Sequence, residues 1–126
     1  MAWGKNGTPT TLATPTEPMA ITDLTAKKFN VFISHSYKGD GYQAGYGFRL
    51  NANTGSVYSN RYSANGGTDG TQVNQTYLNW GENVNYDHFH IIYCCSISGQ
   101  EKLLMCWDMS AGVAGAGTAP DRRENV

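Results

Sequence analysis

Two apolar runs separated by four residues constrain the fold of this chain more than anything else in it. Residues 88–97 read H-F-H-I-I-Y-C-C-S-I, residues 102–109 read K-L-L-M-C-W-D-M, and Ser98-Gly99-Gln100-Glu101 lies between them. Aromatic and β-branched residues dominate the first run, and a short gap containing Gly is a hairpin signal. Neither run alternates strictly, which predicts strands covered on both faces. A helix competes for the second run, because Lys, Leu and Met are good helix formers, but eight residues is short for one. The expectation is a hairpin at the centre of the core. It carries all three cysteines and two of the three histidines.

At 126 residues the chain is one domain's worth and can enclose a single core. Nine Lys and Arg face ten Asp and Glu, a formal charge of −1. The Lys27-Lys28 and Arg122-Arg123 pairs are isolated, so no basic field exists to follow a nucleic-acid backbone. No apolar stretch approaches the roughly 20 residues that span a bilayer, which argues against a membrane partner. The opening M-A-W-G-K-N-G-T-P-T lacks the apolar segment of a signal peptide. The expectation is therefore synthesis in a cytoplasm without export by the usual route. Three cysteines cannot all pair internally and read as buried thiols. A Cys94–Cys106 bridge requires a hairpin register that sets them opposite one another.

Charged residues are only 15% of the chain, while its 15 Gly and 8 Tyr, with abundant Asn, Thr and Ser, suit short strands and many turns. Residues 1–20 read as an extended arm, since Pro9, Pro15 and Pro18 interrupt any ladder. A loose terminus is the plainer alternative, but Trp3, Leu12 and Met19 are possible docking anchors. Residues 21–126 form the folded domain. Its first strand, 27–37, sets Phe29, Val31, Ile33 and His35 on one face and Asn30, Phe32, Ser34 and Ser36 on the other. His35 reads as a core-edge residue. A strand over 42–51 points Ala44, Tyr46, Phe48 and Leu50 inward, and its outward Gly45 and Gly47 invite close approach of a backbone or ligand. Strands follow at 56–63, with Tyr58 and Tyr62 opposite Arg61, and at 71–80. Beyond the hairpin, residues 111–118 form an uncharged small-residue loop. Six strands plus an arm imply an all-β fold, an antiparallel β-sandwich of jelly-roll-like type.

Within residues 48–75 the chain reads F-R-L-N, T-G-S-V-Y, N-R-Y-S-A-N-G-G-T-D-G-T and Q-V-N-Q. With the opening Met-x-Trp, the segment I-T-D-L-T-A-K-K-F-N-V-F and the closing A-P-D-R-R-E, it resembles a large group of small virion-associated proteins. These are encoded by tailed phages, archaeal viruses and prophages, many of them marine. The resemblance covers nearly the whole chain. It implies a lectin-like β-sandwich in a virus particle, no known enzyme activity, and no fixed functional residues. Members of the group usually continue past the position of Val126 with a G-K-W-like strand and a final I-T-R-I-D-like strand. This chain lacks both, which implies either a shortened sequence or a sandwich completed by another subunit.

His88-x-His90 puts two imidazoles on one strand face, a spacing metals use. Cys94 is too far along that face to join them, and His35 requires a particular strand pairing. Such pairs are more often structural, so no metal and no cofactor are expected. Glycoside hydrolysis needs two carboxylates across a groove. Here Asp40, Asp69, Glu82, Asp87, Glu101 and Asp121 fall in expected turns and Asp108 stands alone on a strand. No Gly-x-Ser-x-Gly elbow or phosphate loop is present. The expectation is a protein without enzyme activity. For carbohydrate, Tyr42, Tyr46, Tyr58, Tyr62, Tyr77 and Trp80 offer stacking faces, and Asn65 and Asp69 could bond hydroxyls or hold Ca²⁺. The simpler account is that the aromatics fill half-buried strand positions and N-G-G-T-D-G is a turn needing positive φ.

Together these features suggest a non-enzymatic structural protein of a tailed-phage virion, a capsid-decoration or appendage module that binds itself and other virion proteins. The alternative is a carbohydrate-binding module that recognises a host receptor or glycan. Candidate contact residues for either are Trp3, Tyr58, Arg61, Tyr62, Asn65, Asp69, Arg122 and Arg123. Arg61 and Asp69 are expected to organise their turn. An open sheet edge at the chain end predicts an oligomer, a trimer or a larger shell, with the Arg122-Arg123 end at a contact between subunits.

Overall fold

The computed structural model of the chain describes residues 4, 20–21, 27–36, 47–79, 86–97, 99–111 and 117–126. Trp3 and nearly all of the arm, Tyr42 to Tyr46, Trp80 and the middle of the small-residue loop lie outside them. The described residues form eight strands and no helix: β1 (Phe29–Ser36), β2 (Gly47–Phe48), β3 (Tyr58–Ala64), β4 (Gly70–Gln75), β5 (Leu78–Asn79), β6 (Asp87–Cys95), β7 (Leu103–Ala111) and β8 (Asp121–Asn125). Six of them pair antiparallel in the order β1-β6-β7-β8-β3-β4, and β2 and β5 form a separate two-stranded ribbon.

The expected hairpin is the middle of the large sheet. Strands β6 and β7 pair without interruption from Asp87↔Ala111 to Cys95↔Leu103. Its faces differ from expectation, however. Burial alternates along β7, and Leu103, Met105, Trp107 and Met109 are exposed. The sequence looks continuous because apolar residues fill the outer positions, not because both faces are covered. The opposite, inner face carries His88, His90, Asp108 and Ser110 alongside Ile92, Cys94 and Cys106. Cys94 stands opposite Leu104 and Cys106 opposite Ile92, so the bridge geometry is not met and both are free thiols.

The ribbon lies on the inner face. Phe48 and Leu78 join Tyr58, Ile92, Cys106, Phe32 and Leu104 in one apolar cluster, with the Phe32 and Phe48 rings 5.6 Å apart. This gives the two-layered arrangement expected of a sandwich. In the first strand the face carrying Phe32 turns inward, and His35 is exposed rather than at the core edge. Gly47 is closely approached as anticipated, but by the chain's own Tyr77 ring, which a Cβ there would meet at 2.4 Å.

Two expected boundaries fail for physical reasons. The strand expected over 71–80 breaks in two. Tyr58 pairs with Gln75 but Asn60 pairs with Gln72, so Val73 and Asn74 oppose Ser59 alone, and Asn74 has φ 54°. Such a bulge bends a strand, and Leu78-Asn79 leaves to join β2. The second correction is β8. The segment D-R-R-E-N has little strand propensity, yet it runs between β7 and β3 and buries Arg123 and Asn125 on the inner face. Its neighbour Val126 exchanges both backbone bonds with Arg61, at 2.8 and 2.9 Å.

Candidate functional site

The pairing registers align a polar row across the interior: Ser34 on β1, His90 on β6, Asp108 on β7 and Arg123 on β8. His88 lies two residues along β6 on the same face, opposite Ser36 and Ser110. His88, His90 and Asp108 are each no more than 4% exposed. Nδ1 of His88 lies 2.9 Å from one Asp108 oxygen and 3.1 Å from the other. Nε2 of His90 is 3.5 Å from Asp108 Oδ1, and its Nδ1 is 3.2 Å from Ser34 Oγ. The two imidazoles stack nearly parallel, with centroids 5.7 Å apart. Burial pushes the His90 pKa below its ordinary value; the Asp108 charge opposes that shift and His88 adds to it. Burial likewise pushes the Cys106 thiol up to about 12, with the neighbouring Asp108 charge adding to the shift.

Ser34, His90 and Asp108 have the order of a nucleophilic triad, but the backbone does not suit one. Ser34 sits mid-strand, paired with His90, instead of on a turn whose free amides could hold an oxyanion.

The outer face of the same three strands is apolar. Its registers stack Phe29, Cys95 and Leu103; Val31, Tyr93 and Met105; Ile33, Ile91 and Trp107; and His35, Phe89 and Met109. Seven of these side chains are large, apolar and 43–67% exposed: Phe29, Ile33, Tyr93, Leu103, Met105, Trp107 and Met109. An aromatic side chain alone carries roughly 150–250 Å², so seven half-exposed groups amount to several hundred Å². Contiguous patches of that size mark interaction surfaces. Beyond Trp107 and Met109, β8 places Glu124 and Arg122 at the border, a pair 3.5 Å apart that leaves no net charge there.

The residues singled out from sequence fall elsewhere and mostly serve the fold. Tyr58 is buried; its Oη accepts from Leu50 N at 3.1 Å and lies 3.2 Å from Asn53 O. The Arg123 guanidinium covers the Tyr62 ring at 4.1 Å. Tyr77 lies against Gly47 and beneath Arg49, whose guanidinium carbon is 5.5 Å from the ring centroid. These three rings therefore have little free face for a sugar. Arg61 and Asp69 do pair, at 3.3 Å, and both are more than half exposed. Asn65 clamps β8: its Oδ1 accepts from Arg122 N, its Nδ2 donates to Asp121 Oδ1, and its backbone N–H donates to Arg122 O, each at 2.8 Å. With Oδ1 so engaged, Asn65 is poorly placed to share a Ca²⁺ with Asp69. Arg122 is exposed and available for contact, whereas Arg123 is 8% exposed and points into its own sheet. Trp3 lies outside the described residues.

Sequence reasoning missed that Asp108 joins the two histidines. One cue was present: a hairpin centred on Gly99 sets residue 90 opposite residue 108, which is the register found. Compared with family models, with curated proteins and with solved structures, the chain matches none of them.

Proposed function

We propose that this protein is a non-enzymatic structural component that assembles with copies of itself through the outer face of β1, β6 and β7. In keeping with its resemblance to virion-associated proteins, we place it in a phage particle, as a capsid-decoration or appendage module. The observation that carries this reading is the apolar face. Among the described residues, a sheet that turns Trp107, Met105, Leu103 and Ile33 outward while burying histidines and an aspartate has its least soluble side uncovered.

The occupant that suits this face best is a second copy. Apart from His35 and the exposed Asp87 at the end opposite Ala111, its positions are apolar or cysteine, and the border charges of Arg122 and Glu124 compensate each other. A strongly charged partner would gain little over the apolar rows, whereas two such faces can pair isologously about a twofold axis. Strand β1 is also a sheet edge, and an edge is a ready template for backbone pairing with another chain. Glycan recognition has less support. Tyr93 and Trp107 meet edge to face, centroids 6.2 Å apart, and their row neighbours Val31, Met105, Ile33 and Ile91 offer no hydrogen bonds to hydroxyls.

The test places single lysines on the outer surface, two in turn on the apolar half and one on the polar half formed by β8 and β3. Trp107→Lys and Ile33→Lys are expected to convert the assembly to single chains while leaving the β circular dichroism intact. Ser63→Lys, on the polar half, is expected to leave assembly unchanged. Assembly that survives both apolar-face variants would overturn the proposal. Labelling of purified particles with an antibody to the chain then distinguishes a virion component from a protein that only self-associates.

A further inference from the structure

We propose that His88, His90 and Asp108 bind a divalent transition-metal ion of the zinc type, which clips β6 to β7 across the interior of the sheet. One ligand atom from each residue gives a set that lies within 4.8 Å of one another. Around an ion with bonds of about 2.0–2.1 Å, tetrahedral ligand atoms stand roughly 3.3 Å apart. The observed separations of 2.9 Å for His88 Nδ1 and 3.5 Å for His90 Nε2 from Asp108 Oδ1 bracket that value.

The donor types choose the class of ion. Two imidazole nitrogens and one carboxylate suit zinc and its first-row neighbours, whereas Ca²⁺ and Mg²⁺ prefer oxygen throughout. Both rings ligate as neutral imidazoles, each keeping one proton. On binding, His88 carries its proton on Nε2, and His90 carries its own on Nδ1, where Ser34 Oγ at 3.2 Å accepts it. A partner of this kind on the far nitrogen is the usual way a ligating histidine is oriented. A second feature points the same way: Ser36 Oγ, opposite His88 on the inner face, is buried without a hydrogen-bond partner. A water in the fourth coordination position would give that hydroxyl a partner. The burial of all three ligands makes the site structural rather than catalytic. The inference does not depend on the assembly reading.

The test uses the full chain, stripped with a chelator and titrated first with Co²⁺ alone and then with Zn²⁺. Expected are one Co²⁺ per chain with four-coordinate visible absorption, no thiolate-to-metal charge transfer, displacement by Zn²⁺, and a rise in the thermal midpoint. His90→Gln should abolish this binding, and His35→Gln, at the exposed histidine, should retain it. Absence of stoichiometric binding, a thiolate band implicating the cysteines, or binding retained in His90→Gln would each overturn the proposal. Should His90→Gln fail to fold, paramagnetic shifts in Co²⁺-loaded wild type decide the matter. Shifts of the His88 and His90 rings support the site, and shifts confined to His35 or the cysteines overturn it.

Discussion

Asp69 and Asn65 sit in the same turn and contribute differently to it. The Asp69 carboxylate meets Arg61 at 3.3 Å, but both side chains are more than half exposed, so solvent and salt screen the pair. Asp69→Ala is expected to cost only about 0–1 kcal/mol in urea unfolding; a loss well beyond that would mean Asp69 does more than pair with Arg61. Cys106 titrates in the opposite setting. It is 1% exposed, and burial pushes its pKa up to about 12. The folded state therefore keeps the proton to higher pH than the unfolded state does. Stability from this group is complete below about pH 9 and is lost as pH rises toward 12, at about 1.4 kcal/mol per pH unit. Wild type should lose stability above pH 9 more steeply than Cys106→Ala, whatever the baseline of the variant. Equal slopes would show that the thiol is not held neutral by the fold.

At the scale of elements, β8 depends on Asn65. Asn65 and Gly66 have φ values of 51° and 73°, and Gly67 N donates to Ala64 O at 2.8 Å. These are the positive φ values of an Asn-Gly turn, set within the wider 63–69 connection between Tyr62 and its partner Gly70. The same Asn65 side chain holds both Asp121 and Arg122. Asn65→Ala should cost about 1–2 kcal/mol through lost bonds and a strained φ. It should also speed hydrogen exchange at Arg122 and Glu124 before the β6-β7 amides. Uniform protection across both would separate the turn from β8. The turn and the central hairpin were legible in the sequence because local chemistry determines them: Asn-Gly for one, β-branched and aromatic residues around Gly99 for the other. The all-β class followed from the same signals. Strand β8 was not legible, since D-R-R-E-N forms a strand only because Arg123 can lie over Tyr62 and Asn125 can fill an inner position beside Asn60. Nor was the polarity of the faces. Period two shows which side chains share a face, but not which face the ribbon of β2 and β5 will cover. The grouping of His88, His90 and Asp108 needed the hairpin register, which the sequence only hinted at.

At the scale of the whole molecule, one sheet carries two unlike surfaces. The inner one spends its burial on histidines, an aspartate and an arginine as much as on aliphatic groups, and among the described residues the apolar cluster around Ile92 and Cys106 is small. Among the described residues, the outer one leaves several hundred Å² of apolar side chain exposed. Covering that face would remove apolar area worth about 25 cal/mol per Å², so the proposed association would add to the stability of the single chain. On the proposed self-assembly, folding and association are coupled, and unfolding midpoints should rise with protein concentration. The most direct measurement is equilibrium sedimentation of the unmodified chain over a wide concentration range. A mass that is a whole multiple of one chain, reduced to a single chain by Trp107→Lys, is the expected result. A stable, well-folded single chain at every concentration would contradict the account.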